Sequence, residues 1–349
     1  MPLTKTTLRT PNSRPAPLPE FAYFYPMPRF SIHHITKYTY EGPVRDSANQ
    51  IVLFPIKDEY QEVLKQDITI TGDPIVDIYK DYYGNEIGSF TNAESHTDLI
   101  IDSRLEVITK SRPPLVDEAP VEQQWAALRD IRWQVPYIDF LKQEKFASLA
   151  ELLDHARPEE KLSLTPLQAA QQLRTYVYDN FKYIKGVTTV ETTPDEVWKL
   201  KAGVCQDFAH ILLLLLRQIN IPARYVSGYI CPNKNGMRGE GATHAWIEAY
   251  IPGNGWVGLD PTNNIIADDL HVRLAVGRSF SDCSPVKGTY KGTAGQTLEV
   301  GVSVSYESGK TTEDTVTILT PQAVRNGSES GEQNSYRSYM EMMQQQQQQ

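Results

Sequence analysis

Residues 203–220 read GVCQDFAHILLLLLRQIN, a stretch that is apolar on nearly every side once it is coiled into a helix. A helix without a polar face has no place at a surface, so it belongs in the middle of a domain. Gly203 ends whatever precedes it and permits close approach of the chain, which leaves Cys205 at the N-terminal end of the buried helix. A thiol there meets the positive end of the helix dipole and unsatisfied backbone N–H groups, so its thiolate is favoured and its pKa is expected to fall. The N–H of Cys205 can also donate to a developing oxyanion. A lone cysteine is more often an inert buried hydrophobe, and its neighbours decide between the two readings.

Two helix starts lie upstream. Thr165-Pro166 supplies an N-cap followed by proline at the first helical position, and Leu167, Ala170, Leu173, Val177 and Phe181 recur at helical spacing. Thr193 and Glu196 have the spacing of a capping box around Pro194. Downstream the pattern turns to strands at Arg224–Ile230, Thr243–Ile251, Trp256–Asp260 and Leu298–Tyr306, with a hairpin signal at Pro252-Gly253-Asn254-Gly255. One buried helix on an antiparallel sheet is an α+β domain.

A thiol nucleophile gains from a base, and His244 begins one of these strands; the next strand ends at Asp260, a carboxylate able to orient and stabilise an imidazolium. Side chains alternate along a strand, so His244 and Asp260 share a face only if paired residue numbers have an even sum. A regular loop of Pro252–Gly255 would give an odd one. An asymmetric turn or bulge is therefore expected between Tyr250 and Trp256; a regular four-residue hairpin would instead leave Glu248 as the orienting acid.

The remainder of the 349 residues frames this core. Residues 1–28 and 321–349, the latter rich in glutamine, read as disordered ends. Residues 29–110 read as a small all-β domain, with strands such as Gln66–Ile70, Ile75–Lys80 and Leu105–Ile108. Residues 111–160 read as linker and helices interrupted near Pro136, and 161–320 as the domain bearing Cys205. The net charge of −9 disfavours nucleic acid and anionic lipid as partners. No aliphatic run exceeds Ile211–Leu216, far short of the roughly 18 residues that span a bilayer. With no secretory signal discernible, the cytoplasm is the expected location.

Taken together, Gly203-Val204-Cys205-Gln206-Asp207-Phe208-Ala209-His210, Ile221-Pro222-Ala223-Arg224-Tyr225-Val226-Ser227-Gly228-Tyr229, His244-Ala245-Trp246 and Gly255-Trp256 leading to Asp260-Pro261-Thr262 resemble the bacterial transglutaminase-like superfamily of candidate cysteine proteases. The β region, with Asp81-Tyr82-Tyr83-Gly84-Asn85 and His96, resembles that family's N-terminal domain. The resemblance implies a papain-like α+β core with Cys205 as nucleophile, His244 as general base and Asp260 as orienting acid. It further implies a hydrolase acting on protein or peptide amides through a thioester, without metal or organic cofactor; amine transfer onto glutamine and a non-catalytic scaffold are the alternatives. Gly277-Arg278-Ser279-Phe280 departs from the family's frequent Gly-Arg-Asp-Tyr.

Other residues have plainer expectations. His210 suits a satisfied core histidine, Asp207 a helix-start acid, Trp246 and Trp256 core aromatics, and His33 and His34 ordinary strand packing. Arg224 and Tyr229 suit packing or solvated roles as well as substrate contact. The spacing of Cys231 and Cys283 does not suit a zinc site shared with Cys205.

Overall fold

The computed structural model describes residues 27–188, 192–231, 237–238 and 243–306; the expected disordered ends lie, but for residues 27 and 28, outside these. The first sheet is built on β1 (Arg29–Ile51), a long strand whose side chains alternate between buried and less buried as its apolar pattern dictates. Around it lie β2 (Gln61–Ile70), β3 (Asp77–Lys80), β4 (Glu86–Asn92) and β5 (His96–Thr109), in the order β2-β5-β1-β4-β3.

Helices α1 (Val121–Ile131), α2 (Tyr137–Phe140), α3 (Leu149–Ala156) and α4 (Pro158–Lys161) follow, and the helical reading breaks at Pro136 as expected. The expected N-cap at Thr165 and capping box at Thr193 both form, and Thr165 also completes a box. Thr165 caps α5 (Pro166–Asn180) and Thr193 caps α6 (Pro194–Leu200), each with its reciprocal Gln168 or Glu196 bond. Two short parallel strands, β6 (Lys182–Tyr183) and β7 (Ala202–Gly203), deliver the chain to α7 (Cys205–Gln218). Among the described residues no helix is long and apolar enough to cross a membrane.

The second sheet runs β11-β10-β9-β8-β12, from β8 (Ala223–Ile230), β9 (Thr243–Ile251), β10 (Gly255–Asp260), β11 (Ile265–Ile266) and β12 (His271–Gly277). Helix α7 packs on it, and Ala245, Ile247, Ala249 and Ile251 share its apolar cluster. Buried Arg217 in the last turn of α7 donates to the carbonyls of Phe140 (3.1 Å), Ala223 (3.0 Å) and Arg278 (2.6 Å), tying three separate segments to one helix end.

After α8 (Phe280–Cys283), strands β13 (Val286–Lys291) and β14 (Gln296–Tyr306) leave the second sheet and pair with β1 of the first. The boundary of 161–320 expected for the second domain therefore does not hold, since the chain returns to the first sheet from Val286 onward. Alternation alone could not reveal this, because a strand's pattern names its buried face and not its partner.

The two sheets are joined by side chains that replace a missing strand. Strand β12 lies at an edge, where backbone groups need partners. Asn85 accepts from the Val276 N–H (2.9 Å) and donates to its carbonyl (2.8 Å), while Gln61 does the same for Arg273 at 2.8 Å each. Asn85 itself is fixed by Asp81 across the tight turn at Gly84, whose φ of 86° suits glycine. The Asp81–Asn85 motif is thus a joint between domains.

Candidate active site

Turn geometry decides which face of β10 carries its acid. Ile251 pairs with Gly255 and Leu259 with Ile247, so the paired numbers sum to an even total. The loop is three residues, Pro252–Asn254, and Gly253 and Gly255 take φ of 82° and 73°. This is the asymmetric turn that shared orientation requires. Asp260 consequently faces His244 across the sheet, and Asp260 Oδ2 lies 2.9 Å from His244 Nε2.

Both groups are fully buried. The Asp260 carboxylate also accepts from the Thr262 N–H (2.8 Å), the Asn263 N–H (3.2 Å) and Asn263 Nδ2 (2.8 Å). Burial by itself would raise its pKa, but the adjoining His244 and His271 rings reverse that and hold the carboxyl well below the ordinary range. With Nε2 engaged by Asp260, the other ring nitrogen of His244, Nδ1, is buried without a partner among the described residues.

Cys205 occupies the first position of α7 and is buried. The backbone N–H groups of Gln206 and of Ala245, the residue after His244, face its sulfur. Burial pushes the thiol well above its ordinary value, helped by the negative charges of Asp260 and Asp207 and opposed by those two N–H groups. The expected fall in pKa is therefore overturned for the site closed to water. Dehydration of the thiolate outweighs the helix end, and a thiolate there needs a cation beside it.

Asp207 behaves as the helix-start acid expected, accepting from the Val204 N–H and the Thr188 hydroxyl at 2.8 Å each. His210 is a core histidine, its Nε2 accepting from the Phe280 N–H at 3.3 Å. The departing Ser279-Phe280 segment thus packs on the far part of α7. Arg224 pairs with buried Glu248 and stacks over Trp256; Arg273 and Arg112 also approach Glu248, at 3.7 and 3.5 Å. Burial would raise the Glu248 carboxyl, and the three guanidinium groups bring it below its usual value instead. Tyr229 reaches back to His34 of β1, its hydroxyl 2.9 Å from the ring, so neither residue is left for chemistry.

Sequence reasoning missed His271. Its Nε2 lies 3.4 Å from the same Asp260 oxygen that His244 holds, and its Nδ1 lies 3.0 Å from Asp268 Oδ1. His244, Asp260 and His271 are the one group among the described residues with the makeup of a metal site, their nearest atoms within 4.8 Å of one another. Both rings aim at Oδ2, which the Asn263 amide also reaches, while backbone N–H groups hold Oδ1, which describes a hydrogen-bonded trio. A signal did exist: His271 opens a strand one residue after the pair Asp268-Asp269. Cys231 and Cys283 are buried and join no such group.

One buried helix with a cysteine at its start, packed on an antiparallel sheet carrying a histidine–aspartate pair, is the architecture of transglutaminase-like proteins. Residues 157–261 match the profile of the transglutaminase-like superfamily, and residues 30–108 that of the bacterial transglutaminase-like N-terminal region. An uncharacterized protein of Mycobacterium leprae is 30% identical over 280 residues, covering 79% of this chain and 98% of its own length. An uncharacterized protein of Mycobacterium tuberculosis is 31% identical over 291 residues, covering 79% and 92%. The chain belongs to the bacterial transglutaminase-like superfamily. A protein-glutamine gamma-glutamyltransferase of Pseudomonas aeruginosa is 24% identical over 181 residues, half of this chain and 25% of that enzyme. A crystal structure from Cytophaga hutchinsonii, presented as a candidate cysteine protease, superposes with a TM-score of 0.65 at 22% identity, covering 85% of this chain and 98% of the other.

Proposed function

We propose that this protein is a cysteine hydrolase of transglutaminase-like type, acting on protein or peptide amides in the cytoplasm through Cys205, His244 and Asp260. The observation that carries the reading is the buried His244–Asp260 pair, which leaves Nδ1 of His244 without a partner among the described residues, one residue from the Ala245 N–H that faces the Cys205 sulfur. Cys205 gives its proton to His244, and the resulting imidazolium supplies the cation that a dehydrated thiolate requires. The sulfur then attacks the amide carbonyl, and first-turn N–H groups of α7, which have no intrahelical acceptor, receive the oxyanion. Collapse breaks the C–N bond, His244 protonates the departing amine, and a thioester remains. Water, deprotonated by His244, releases the acid and restores the thiol. An amine in place of water would give transfer, and the likeness to the gamma-glutamyltransferase keeps that second reading in view.

The test is the pH dependence of iodoacetamide alkylation at Cys205, located by mass spectrometry, in wild type and His244→Ala. Fast labelling well below the free-thiol pKa of about 8.5, slowed by the substitution, is the expected result. Slow labelling indifferent to His244 would mean a structural cysteine and a binding scaffold. A glutamine peptide with a labelled amine then separates transfer from hydrolysis by product mass.

A further inference from the structure

We propose that His271 is a positioning residue for this site: clamped as an imidazolium between Asp260 and Asp268, it fixes the Asp260 carboxylate and offsets part of its charge, which tunes the protonation of His244. This rests on the reading of Cys205 and His244 just given.

Geometry supports it from three sides. His271 Nε2 faces Asp260 Oδ2 at 3.4 Å and Nδ1 faces Asp268 Oδ1 at 3.0 Å, so each ring nitrogen has a carboxylate, and the Asp268 N–H also reaches Nδ1 at 3.2 Å. The two carboxylates are both satisfied only by a doubly protonated ring, a cation, which gives up the bond from the Asp268 N–H; the neutral ring would keep that bond and lose the Asp268 carboxylate. The edge of the ring meets Trp246 with centroids 5.1 Å apart, and Trp246 stacks in turn toward His244, which fixes the ring's orientation. The third side is a cavity of about 20 Å³, room for about one water, which His271 shares with Tyr60 and Lys110 of the first domain, Arg112 of the linker, and Glu248 and Arg273.

Of these charges, Glu248 is held by arginines and Arg273 by Asp58, so the acids left to His271 are Asp260 and Asp268. Burial lowers the ring's pKa, but these two carboxylates overcome it and bring the value up to about 8. The His244 and His271 rings are 6.2 Å apart. At an effective dielectric of about 20, two unit charges at that distance shift one another's ionisation by about one to two pH units. The cation on His271 therefore offsets part of the Asp260 charge that His244 faces.

The experiment is the alkylation profile of Cys205 in wild type, His271→Gln and Asp268→Asn, with thermal unfolding as the control for folding. Glutamine keeps a donor near Asp260 and removes the charge, so the imidazolium limb should move up by about one to two pH units and the thiol limb should move in the same direction. Asp268→Asn alters a half-exposed side chain, so it serves if the buried variant does not fold; it should move the limbs the same way by less. Limbs that stay in place while the plateau or the melting temperature falls would overturn the proposal and leave a structural histidine. Stoichiometric zinc in the purified protein, lost in His271→Gln, would overturn it in favour of a metal site. A wild-type Cys205 that labels slowly and ignores His244→Ala would remove the functional reading itself. Independently of the thiol, the ¹⁵N resonances of His271 should be those of a cation at pH 7, and a neutral ring would overturn this proposal alone.

Discussion

Ala245, Ile247, Ala249 and Ile251 point from β9 into the cluster around α7, while His244, Trp246 and Glu248 point the other way, and Trp246 joins a separate cluster with Ile56 and Tyr83 of the first domain. Neighbours in sequence thus live in different media. On the helix face the attraction is burial, non-directional and roughly proportional to area, so it tolerates change of shape. On the opposite face each group depends on a named partner, and loss of one partner leaves the other buried at full cost. Period-two alternation is what lets a reactive histidine stand one residue from an apolar core without disturbing it.

The largest effect expected is on the polar face. Asp260→Asn keeps size but cannot accept from His244 and from Thr262 and Asn263 together, so turnover should fall by roughly 10³ to 10⁴, with a stability loss too small to account for it. Steady-state rates and chemical unfolding on the same preparation check this; equal losses in both would show that the pair is merely structural. Next comes Glu248→Gln, which strands Arg112, Arg224 and Arg273 against a neutral amide. It should cost about 3 to 5 kcal/mol at pH 7. Because the folded carboxyl is held below its unfolded value, its contribution is present above about pH 4.5 and is lost as pH falls through the folded value, so wild type and variant should converge in acid. On the helix face, Leu212→Ala removes a fully buried side chain and should cost about 2 to 5 kcal/mol, with no such convergence and no movement of the Cys205 profile.

Much of this contrast was legible in residues 243–251, where His, Trp and Glu alternate with Ala and Ile. The buried helix, the caps at Thr165 and Thr193 and the parity of the hairpin follow equally from local chemistry, because each depends on residues near one another in the chain. Three things did not. The return of β13 and β14 to β1 joins segments more than 200 residues apart, and alternation carries no partner's address. His271 met Asp260 only through folding of β12 against β8. The direction of the Cys205 shift depended on complete burial, which a helix N-terminus does not disclose.

The finest test lies where the two media meet, at Asp207, one turn before His210 on α7. Its carboxylate accepts from Val204 and Thr188, yet burial dominates and brings its pKa up to about 6. A carboxyl whose folded value is raised favours folding most in acid, and that contribution is lost as pH rises from about 4 through 6. At pH 7 the group is therefore ionised at a cost. Asp207→Asn can still accept both hydrogen bonds and carries no charge to dehydrate. It forfeits a favourable helix-end charge, typically below about 1 kcal/mol, against a saving of about 2 to 3 kcal/mol. The variant should be more stable than wild type at pH 7 by at most about 2 kcal/mol and no more stable at pH 4. Removing that negative charge should also move the Cys205 thiol downward by less than about one unit. Urea unfolding at the two pH values, beside the alkylation profile, reads both. A variant weaker at pH 7 as well as at pH 4 would mean that the charged hydrogen bonds at the start of α7 outweigh burial, and that the polar chemistry extends further into the helix face than the alternation of β9 implies.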